Sequence, residues 1–347
     1  MTDATPTETP TAGAAAAEIP PPTAPENISI SLRAFDTEAH ARALGDLVAT
    51  YIRSLSRYID LTTLDGTTIA FDYAQALLEL DRGYDTKHKL TPSEGIVLGV
   101  AMTPAVIRDG KIKSHMLFNA GIVLPLEDEK NEFYEQAVHT LAHECAHVEV
   151  TERFNAAFPG VLLQSKQPNA HAHYRWEIIK ACWDEYAVTQ ICAPFGQRPT
   201  DGYEETFITA LAQTRPRANA LIKAYRSRFN LEKITAEIYG VYGDLLKFAS
   251  YHLGNMVGLG LTLDDLPKTK AALQGHWFEP YFDKLKQACA DIAADYGKWT
   301  DYGAFEALGD LADDIVADGG LTISGHQDDG GFYVHIPFTP ETMPDDD

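Results

Sequence analysis

Five consecutive residues carry the donor groups of a metal site. They read His143-Glu144-Cys145-Ala146-His147, which is the pattern H-E-x-x-H. On an α-helix, residues four apart lie on one face, so the two imidazoles can bind a single metal ion. Glu144 lies beside that face, where a carboxylate can accept the proton of a metal-bound water. The pattern therefore indicates hydrolytic chemistry at a zinc ion.

The residues around this pattern predict a buried helix over residues 130–157. No Gly or Pro interrupts that range. The apolar side chains that would bury the helix are Leu141, Ala142, Cys145, Ala146 and Val148. The alternative interpretation is a surface helix that carries two His and one Glu by chance, because any motif of five residues also occurs by accident. We favour the metal-binding interpretation.

A catalytic zinc ion commonly has three protein ligands and a water molecule, so a third ligand must lie elsewhere. In metzincins it is a later His on the same motif, but the chain has Arg153 at that position and Val150 where the motif has Gly. Peptide deformylases use an upstream Cys in a Glu-Gly-Cys context, and this chain contains no such triplet. The remaining source is a carboxylate on a following helix, as in gluzincins.

A second helix is predicted over residues 174–192, and it offers Glu177, Asp184 and Glu185. Asp184 and Glu185 lie inside an apolar run, where ionised groups are costly unless they are paired or metal-bound. Glu177 lies nearer the start of the helix, where the helix dipole favours a carboxylate. We therefore predict Glu185 as the third ligand, with Asp184 as its partner or substitute and Glu177 as a further option.

Other His and Tyr side chains near these motifs are weaker candidates. His139 lies one turn before His143, and a packing or surface role is expected for it. His171 and His173 precede the second helix, where a solvated position is more common than a metal ligand. Zinc peptidases often use a His or Tyr to stabilise the developing oxyanion. The sequence does not rank the four candidates for that role, which are His171, His173, Tyr174 and Tyr186.

The segment before the motif helix predicts strands. Residues 96–102 and 114–118 flank Asp109-Gly110, which is a strong hairpin signal. A second extended run is predicted over 121–126. An edge strand beside an active-site helix can bind an extended peptide through backbone pairing. Residues 112–125 are predicted to be either that strand or an ordinary core strand.

Composition and periodicity divide the chain into four parts. Residues 1–28 contain almost no bulky apolar side chain and predict a disordered tail. Residues 29–200 form the domain with the metal site, in which Leu64-Asp65-Gly66 is predicted to be a turn between strands. Residues 201–320 are mostly helical, and residues 321–347 predict a hairpin and an acidic tail. The helices predicted in the third part are 203–213, 216–229, 231–252, 264–274 and 278–296.

Charge and cysteine usage limit the partners and the location. The formal net charge of −22 argues against a nucleic-acid surface, since that affinity comes mainly from Lys and Arg. The four cysteines form no C-x-x-C pair, which indicates reduced thiols in a cytosolic protein. The sequence shows no signal peptide and no apolar run of membrane-spanning length. We therefore predict a cytoplasmic protein that binds neither nucleic acid nor membranes.

Taken together, the two motifs resemble gluzincin-type zinc metallopeptidases, and most closely the ImmA/IrrE-like group. The likeness covers roughly residues 90–195 and rests on the H-E-x-x-H pattern and on Trp183–Pro194. It implies an α+β fold with a zincin-like core: a small antiparallel or mixed sheet, the motif helix and a second ligand-bearing helix, followed here by a mostly helical region. The chain departs from that group in the length between the motifs and in residues 201–320, which have no counterpart in it.

The resemblance implies that His143, His147 and Glu185 bind Zn²⁺ and that Glu144 is the catalytic base. The expected function is hydrolysis of peptide bonds, in limited cleavage of a specific intracellular protein. The alternative is a non-catalytic, zinc-bound regulatory or partner-binding protein. The expected partner is a protein or peptide substrate, and the sequence does not indicate an oligomeric state.

Overall fold

A computed structural model describes residues 19–92, 99–325 and 331–344 of the chain. Among these residues, one five-stranded mixed sheet precedes a set of long helices, so the fold class is α+β. The strands of the sheet are β1 (Ile30–Arg33), β2 (Leu64–Ala70), β3 (Ala101–Met102), β4 (Ala105–Arg108) and β5 (Lys111–Asn119). The helices are α1 (Glu38–Leu55), α2 (Tyr73–Leu78), α3 (Ala120–Val123), α4 (Tyr134–Ala157), α5 (Ala170–Cys192), α6 (Thr200–Arg228), α7 (Leu231–Leu259), α8 (Pro267–Leu273), α9 (Glu279–Ala294) and α10 (Gly303–Asp318).

The sheet has β5 between two neighbours. Strand β2 pairs with β1 and with β5 in parallel, whereas β3 and β4 pair with β5 antiparallel on its other side. The predicted hairpin turn is confirmed, because Asp109 and Gly110 join β4 to β5 with φ of 50° and 73°. Part of the predicted strand 96–102 lies in residues 93–98, outside the described residues.

Of the two alternatives for residues 112–125, the ordinary core strand is confirmed as far as Asn119, because β5 is paired on both sides. The edge-strand alternative is wrong, since the outer positions of the sheet belong to β1 on one side and to β3 and β4 on the other. The run predicted as extended over 121–126 is helical instead. The Asn119 side chain accepts a hydrogen bond from Gly121 N and so caps α3, and Pro125 then stands at the start of a 3₁₀ turn over Leu124–Glu127.

Leu64-Asp65-Gly66 is also not a turn. It begins β2, and the pairing of β2 with β5 shifts its register between Leu64 and Gly66. A Cβ atom on Gly66 would lie 2.7 Å from the backbone oxygen of Ser29. The glycine thus marks a bulge and a close approach of two backbones, which is the other common reason for Gly in a strand.

The helical predictions agree better with the structure. The motif helix and the second helix are confirmed as α4 and α5, although α5 begins four residues earlier than predicted. The helices predicted on either side of Pro216 form one helix, α6, which packs along α7. Packing of both halves on α7 offsets the backbone hydrogen bond that the proline removes. The predicted C-terminal hairpin has strands Thr322–Ser324 and Tyr333–His335, and its predicted turn falls in residues 326–330, outside the described residues.

Helix α4 lies between the sheet and α5, since it contacts β5 and β3 as well as α5. Helix α5 in turn packs against α7, and the larger of two buried cores contains apolar residues from the strands and from α4 to α10, while a small second core lies between α2 and the sheet. Thr23, in the predicted tail, donates its hydroxyl to Ser56 O at 2.8 Å; residues 1–18 lie outside the described residues. Among the described residues, no helix combines the length and the apolar character needed to cross a membrane.

Candidate metal centre

The two motif histidines are held on the face of α4 that meets α5. The absence of Gly and Pro lets α4 run unbroken over Tyr134–Ala157, so His143 and His147 lie one above the other. Their ring centroids are 4.9 Å apart, and their side chains are 13% and 19% exposed. Both rings therefore present a nitrogen to a largely enclosed space between the helices.

Glu185 reaches the same space from α5. Its Oε2 lies 3.6 Å from His143 Nε2 and 3.7 Å from His147 Nε2, and its side chain is 14% exposed. The three donor atoms all lie within 4.8 Å of one another. The structure thus brings together the three residues that the sequence predicted as ligands.

The spacing of these atoms fits a zinc ion. Two ligands at about 2.1 Å from a tetrahedral zinc ion lie roughly 3.4 Å apart, close to both distances from Glu185 Oε2. That oxygen is buried and has no hydrogen-bond partner among the described residues. A buried carboxylate oxygen without a partner is costly, and a metal ion between it and the two imidazoles would satisfy it.

The protonation states favour a cation at this position. Burial lowers the pKa of His147 to about 4 and the pKa of His143 well below its usual value, so both rings are neutral at pH 7. Burial raises the pKa of Glu185 to about 8, against the hydrogen bond from the Tyr251 hydroxyl. Without a cation this carboxyl is mostly protonated, whereas a bound metal ion would hold it ionised.

Glu144 lies on α4 between the two histidines and is 5% exposed. The hydroxyl of Thr103, in the segment between β3 and β4, donates to Glu144 Oε2 at 2.6 Å. Burial raises the pKa of Glu144 to about 7, although this hydrogen bond opposes the shift. A carboxylate with a pKa near neutral can both accept and return a proton at physiological pH. No sequence pattern marks Thr103, because it lies 41 residues from the carboxylate it contacts.

A second set of donors lies on the other side of the His143 ring. Cys192 Sγ is 3.8 Å from His143 Nδ1 and 3.8 Å from His139 Nε2. His139 Nδ1 lies 3.0 Å from Phe195 O, and its Nε2 lies 3.3 Å from the Tyr203 hydroxyl. Like the first set, the donor atoms of His139, His143 and Cys192 lie within 4.8 Å of one another. Of the two roles expected for His139, packing and surface, the buried one is found, and the residue lies beside the site.

The other acidic candidates on α5 are paired away from the metal centre. Asp184 forms an ion pair with Lys180, one turn earlier on the same helix. Glu177 is 63% exposed and pairs with His173 at 3.3 Å. Neither carboxylate belongs to a donor set among the described residues. The geometry therefore favours Glu185 over both alternatives.

The four side chains considered for oxyanion stabilisation make contacts elsewhere. His171 binds Asp313, His173 pairs with Glu177, Tyr174 packs on Tyr239, and Tyr186 packs on Trp183. The tyrosines at the centre come from α6 and α7 instead. The ring of Tyr251 stacks on His143 with centroids 5.9 Å apart, and Tyr203 packs on Tyr251. Both are remote in sequence from the motif, so no local spacing identifies them.

Comparison of the chain with models of protein families, with curated proteins and with solved structures finds no match. Any function must therefore be inferred from the geometry and chemistry of the site itself.

Proposed function

We propose that this protein is a zinc-dependent peptidase with a zincin-like core, in which His143, His147 and Glu185 bind Zn²⁺. One observation carries the proposal: within the part of the chain that the structure describes, the buried Oε2 of Glu185 has no hydrogen-bond partner, and it lies at nearly equal distances from two imidazole nitrogens. Two neutral nitrogens and one carboxylate leave a fourth position of a tetrahedral zinc ion for water or substrate.

Zinc, when bound, supplies a Lewis acid that activates a water and polarises a carbonyl group. Glu144 accepts the proton of the attacking water and then returns it to the leaving amine. The Thr103 hydroxyl orients the Glu144 carboxylate for both transfers, since it donates to one of its two oxygens. The Tyr251 hydroxyl donates to Glu185 and the Tyr203 hydroxyl lies 3.3 Å from His139 Nε2, so these two tyrosines hold groups of the proposed centre in place.

The proposed substrate is a peptide in extended conformation. Thr103, next to Glu144, lies between the two outer strands β3 and β4. A peptide that paired with this edge would run past the proposed base. The backbone amide of Ile107 in β4 already donates a hydrogen bond to Arg82 O. We therefore propose that a substrate peptide would pair with β3 rather than with β4. Limited cleavage of a specific intracellular protein is the activity that the resemblance to the ImmA/IrrE-like group suggests.

The test separates zinc binding from hydrolysis. Glu144→Gln should keep zinc and reduce turnover by about 10²–10⁴-fold, because it removes the proton acceptor and leaves the ligands intact. His147→Ala should lose both zinc and activity. Comparing protein termini in cells with wild type and with Glu144→Gln identifies the substrate, and purified protein then gives the rate.

The control is Glu135→Gln, a change of an exposed carboxylate on the same helix, which should leave both zinc and turnover unchanged. Full turnover by Glu144→Gln would refute the assignment of the base.

A non-catalytic zinc protein is the second candidate, and one observation favours it. Cys192 and His139 lie next to His143, and structural zinc sites prefer Cys together with four protein ligands. X-ray absorption of the zinc-loaded protein distinguishes the two. A shell of nitrogen and oxygen only supports the peptidase, whereas a sulfur ligand supports the structural site.

A further inference from the structure

Four groups form a line from the backbone to the proposed metal ligand: the carbonyl of Phe195, His139, Cys192 and His143. We infer that His139 and Cys192 are positioning residues that fix the His143 ring in the tautomer with its proton on Nδ1. This tautomer leaves the Nε2 lone pair directed towards Glu185 and the metal position. The inference rests on the proposed zinc site, but it does not require that the protein be a peptidase.

The Phe195 carbonyl at one end of this line can only accept a hydrogen bond. His139 Nδ1 lies 3.0 Å from this oxygen and must therefore carry the proton. In a neutral imidazole the other nitrogen is then an acceptor. His139 Nε2 consequently accepts a hydrogen bond, and the donors beside it are the Tyr203 hydroxyl and the Cys192 thiol.

The position of this carbonyl depends on Gly196. Its φ is +66°, and a Cβ atom there would lie 2.3 Å from Glu135 O and 2.6 Å from His139 N. Only glycine lets the loop after α5 lie directly on α4 and bring the Phe195 carbonyl to the His139 ring. The loop is also fixed by Gln197, whose backbone N–H donates to Glu135 O at 2.9 Å.

Cys192 lies between His139 and His143 and connects the proton position of one ring to that of the other. Its side chain is fully buried, so its sulfur can bond only to protein groups. The thiol proton can be directed to His139 Nε2 at 3.8 Å or to Thr189 O at 3.9 Å, and in either case the sulfur lone pairs accept from His143 Nδ1 at 3.8 Å. The reverse arrangement would put a proton on His143 Nε2, which lies 3.6 Å from Glu185 Oε2, beyond hydrogen-bond range. The arrangement with the proton on Nδ1 is therefore the better satisfied one.

The consequence for metal binding follows from a general property of histidine ligands. A metal-bound His usually donates its second nitrogen to a partner that fixes its orientation, and loss of that partner typically weakens metal binding 10–100-fold. For His143 the partner is a thiol rather than a carboxylate or a carbonyl. The thiol adds no charge next to a site that already contains two carboxylates, Glu144 and Glu185.

The test reads the tautomer directly. Nitrogen-15 NMR of the full chain without metal should show His143 protonated on Nδ1 in the wild type and in Cys192→Ser, where a hydroxyl replaces the thiol. Cys192→Val puts two methyl groups in place of the sulfur and so removes the acceptor, which should shift His143 towards the Nε2-protonated form. The same variant should weaken Zn²⁺ binding about 10–100-fold in a competition titration, and Cys192→Ser should restore most of that loss.

Cys182→Val is the matched control, because Cys182 is also buried on α5 but bonds to Ser250. It should change neither the tautomer nor the zinc affinity. Wild-type protein with His143 protonated on Nε2 would overturn the inference even if no variant folded. A thiolate-to-metal absorption band in the Co²⁺-loaded wild type that disappears in Cys192→Ser would also overturn it, since Cys192 would then be a ligand. A protein that binds zinc through the expected tautomer but cleaves no peptide would leave the inference intact and refute only the peptidase proposal.

Discussion

Helix α5 carries two clusters of ionisable side chains, and they differ in how the negative charge of their carboxylates is compensated. Near its start, Arg175 donates to Glu306 at 2.6 Å and to Asp310 at 2.7 Å and also binds Asp313. Near its end, Glu185 faces His143 and His147, and its Oε2 has no hydrogen-bond partner among the described residues. The first cluster contains a cation that is bonded to its carboxylates, whereas at the second Lys247 acts on Glu185 through its charge and no cation bonds to Oε2 among the described residues.

The difference separates a structural cluster from a binding site. In the Arg175 cluster, hydrogen bonds and a fixed positive charge compensate the carboxylates, so nothing further is needed. At the Glu185 cluster, burial raises the pKa of the carboxyl to about 8 and keeps both histidines neutral. A buried acid beside two neutral imidazoles is an arrangement that a divalent cation would stabilise. Of the two ends of α5, it is thus the Glu185 end where a bound metal ion would supply a positive charge that is not already bonded there.

The largest expected effect concerns zinc affinity. The free energy of zinc binding to four-ligand structural sites is about 10–16 kcal/mol, or roughly 2.5–4 kcal/mol per ligand. Glu185→Gln removes one ligand charge and should weaken zinc binding roughly 10²–10³-fold, measured by competition with a chromophoric chelator. Asp184→Asn changes the adjacent carboxylate, which is paired with Lys180, and should leave the affinity unchanged. Equal losses in the two variants would contradict the choice of Glu185.

The next effect is a loss of stability without a loss of zinc. Arg175→Met keeps an apolar side chain but removes the cation of the first cluster, leaving its carboxylates uncompensated. Because Arg175 is only 16% exposed, we expect about 2–3 kcal/mol of destabilisation in urea unfolding, between the values for exposed and buried pairs. The control is Lys284→Met, since the Lys284–Asp314 pair is exposed and should contribute less than about 1 kcal/mol. Loss of zinc binding in Arg175→Met would show that the two clusters are not independent.

The smallest effect is a pH dependence of the first cluster. Burial raises the pKa of Asp313, but hydrogen bonds from His171 and Tyr239 and the nearby Arg175 charge outweigh it, so the net pKa is lowered. A carboxyl with a lowered folded-state pKa stabilises the fold above its unfolded pKa of about 3.9, and this contribution disappears as the pH falls through the folded-state value. Unfolding free energies measured below about pH 4 should fall less steeply in Asp313→Asn than in the wild type. Parallel curves for the two proteins would assign the acid sensitivity to other groups.

Local patterns predicted the parts of the site that lie on single helices. The i, i+4 spacing of His143 and His147 and the uninterrupted run around them are properties of one helix, and α4 has them. The placement of Glu185 in an apolar run also distinguished it from Glu177. By contrast, the sequence left open whether 112–125 is an edge strand or a core strand, because strand order depends on pairing with β2, β3 and β4 and not on the strand's own residues.

The groups that surround the ligands could not be predicted in this way. Thr103 reaches Glu144 because β3 and β4 lie beside α4, and Tyr251 reaches Glu185 because α7 packs on α5. Each contact joins residues separated by tens of positions, and a short polar or aromatic side chain carries no local signal of such a contact. His139 shows the same limit: it was expected to serve packing or the surface, whereas it bonds to the Phe195 carbonyl.

The sequence by itself determined the chemistry available to this protein: two imidazoles and a carboxylate on one helix, and an acidic residue in the apolar run of another. It could do so because helical periodicity and the cost of burying charge act over a few residues. Only the tertiary structure decided that these helices meet with their donor atoms within 4.8 Å and that Glu185 Oε2 has no hydrogen-bond partner among the described residues. Those properties arise from the packing of α4, α5 and α7 in one core, where burial removes the water that would otherwise solvate these donor atoms.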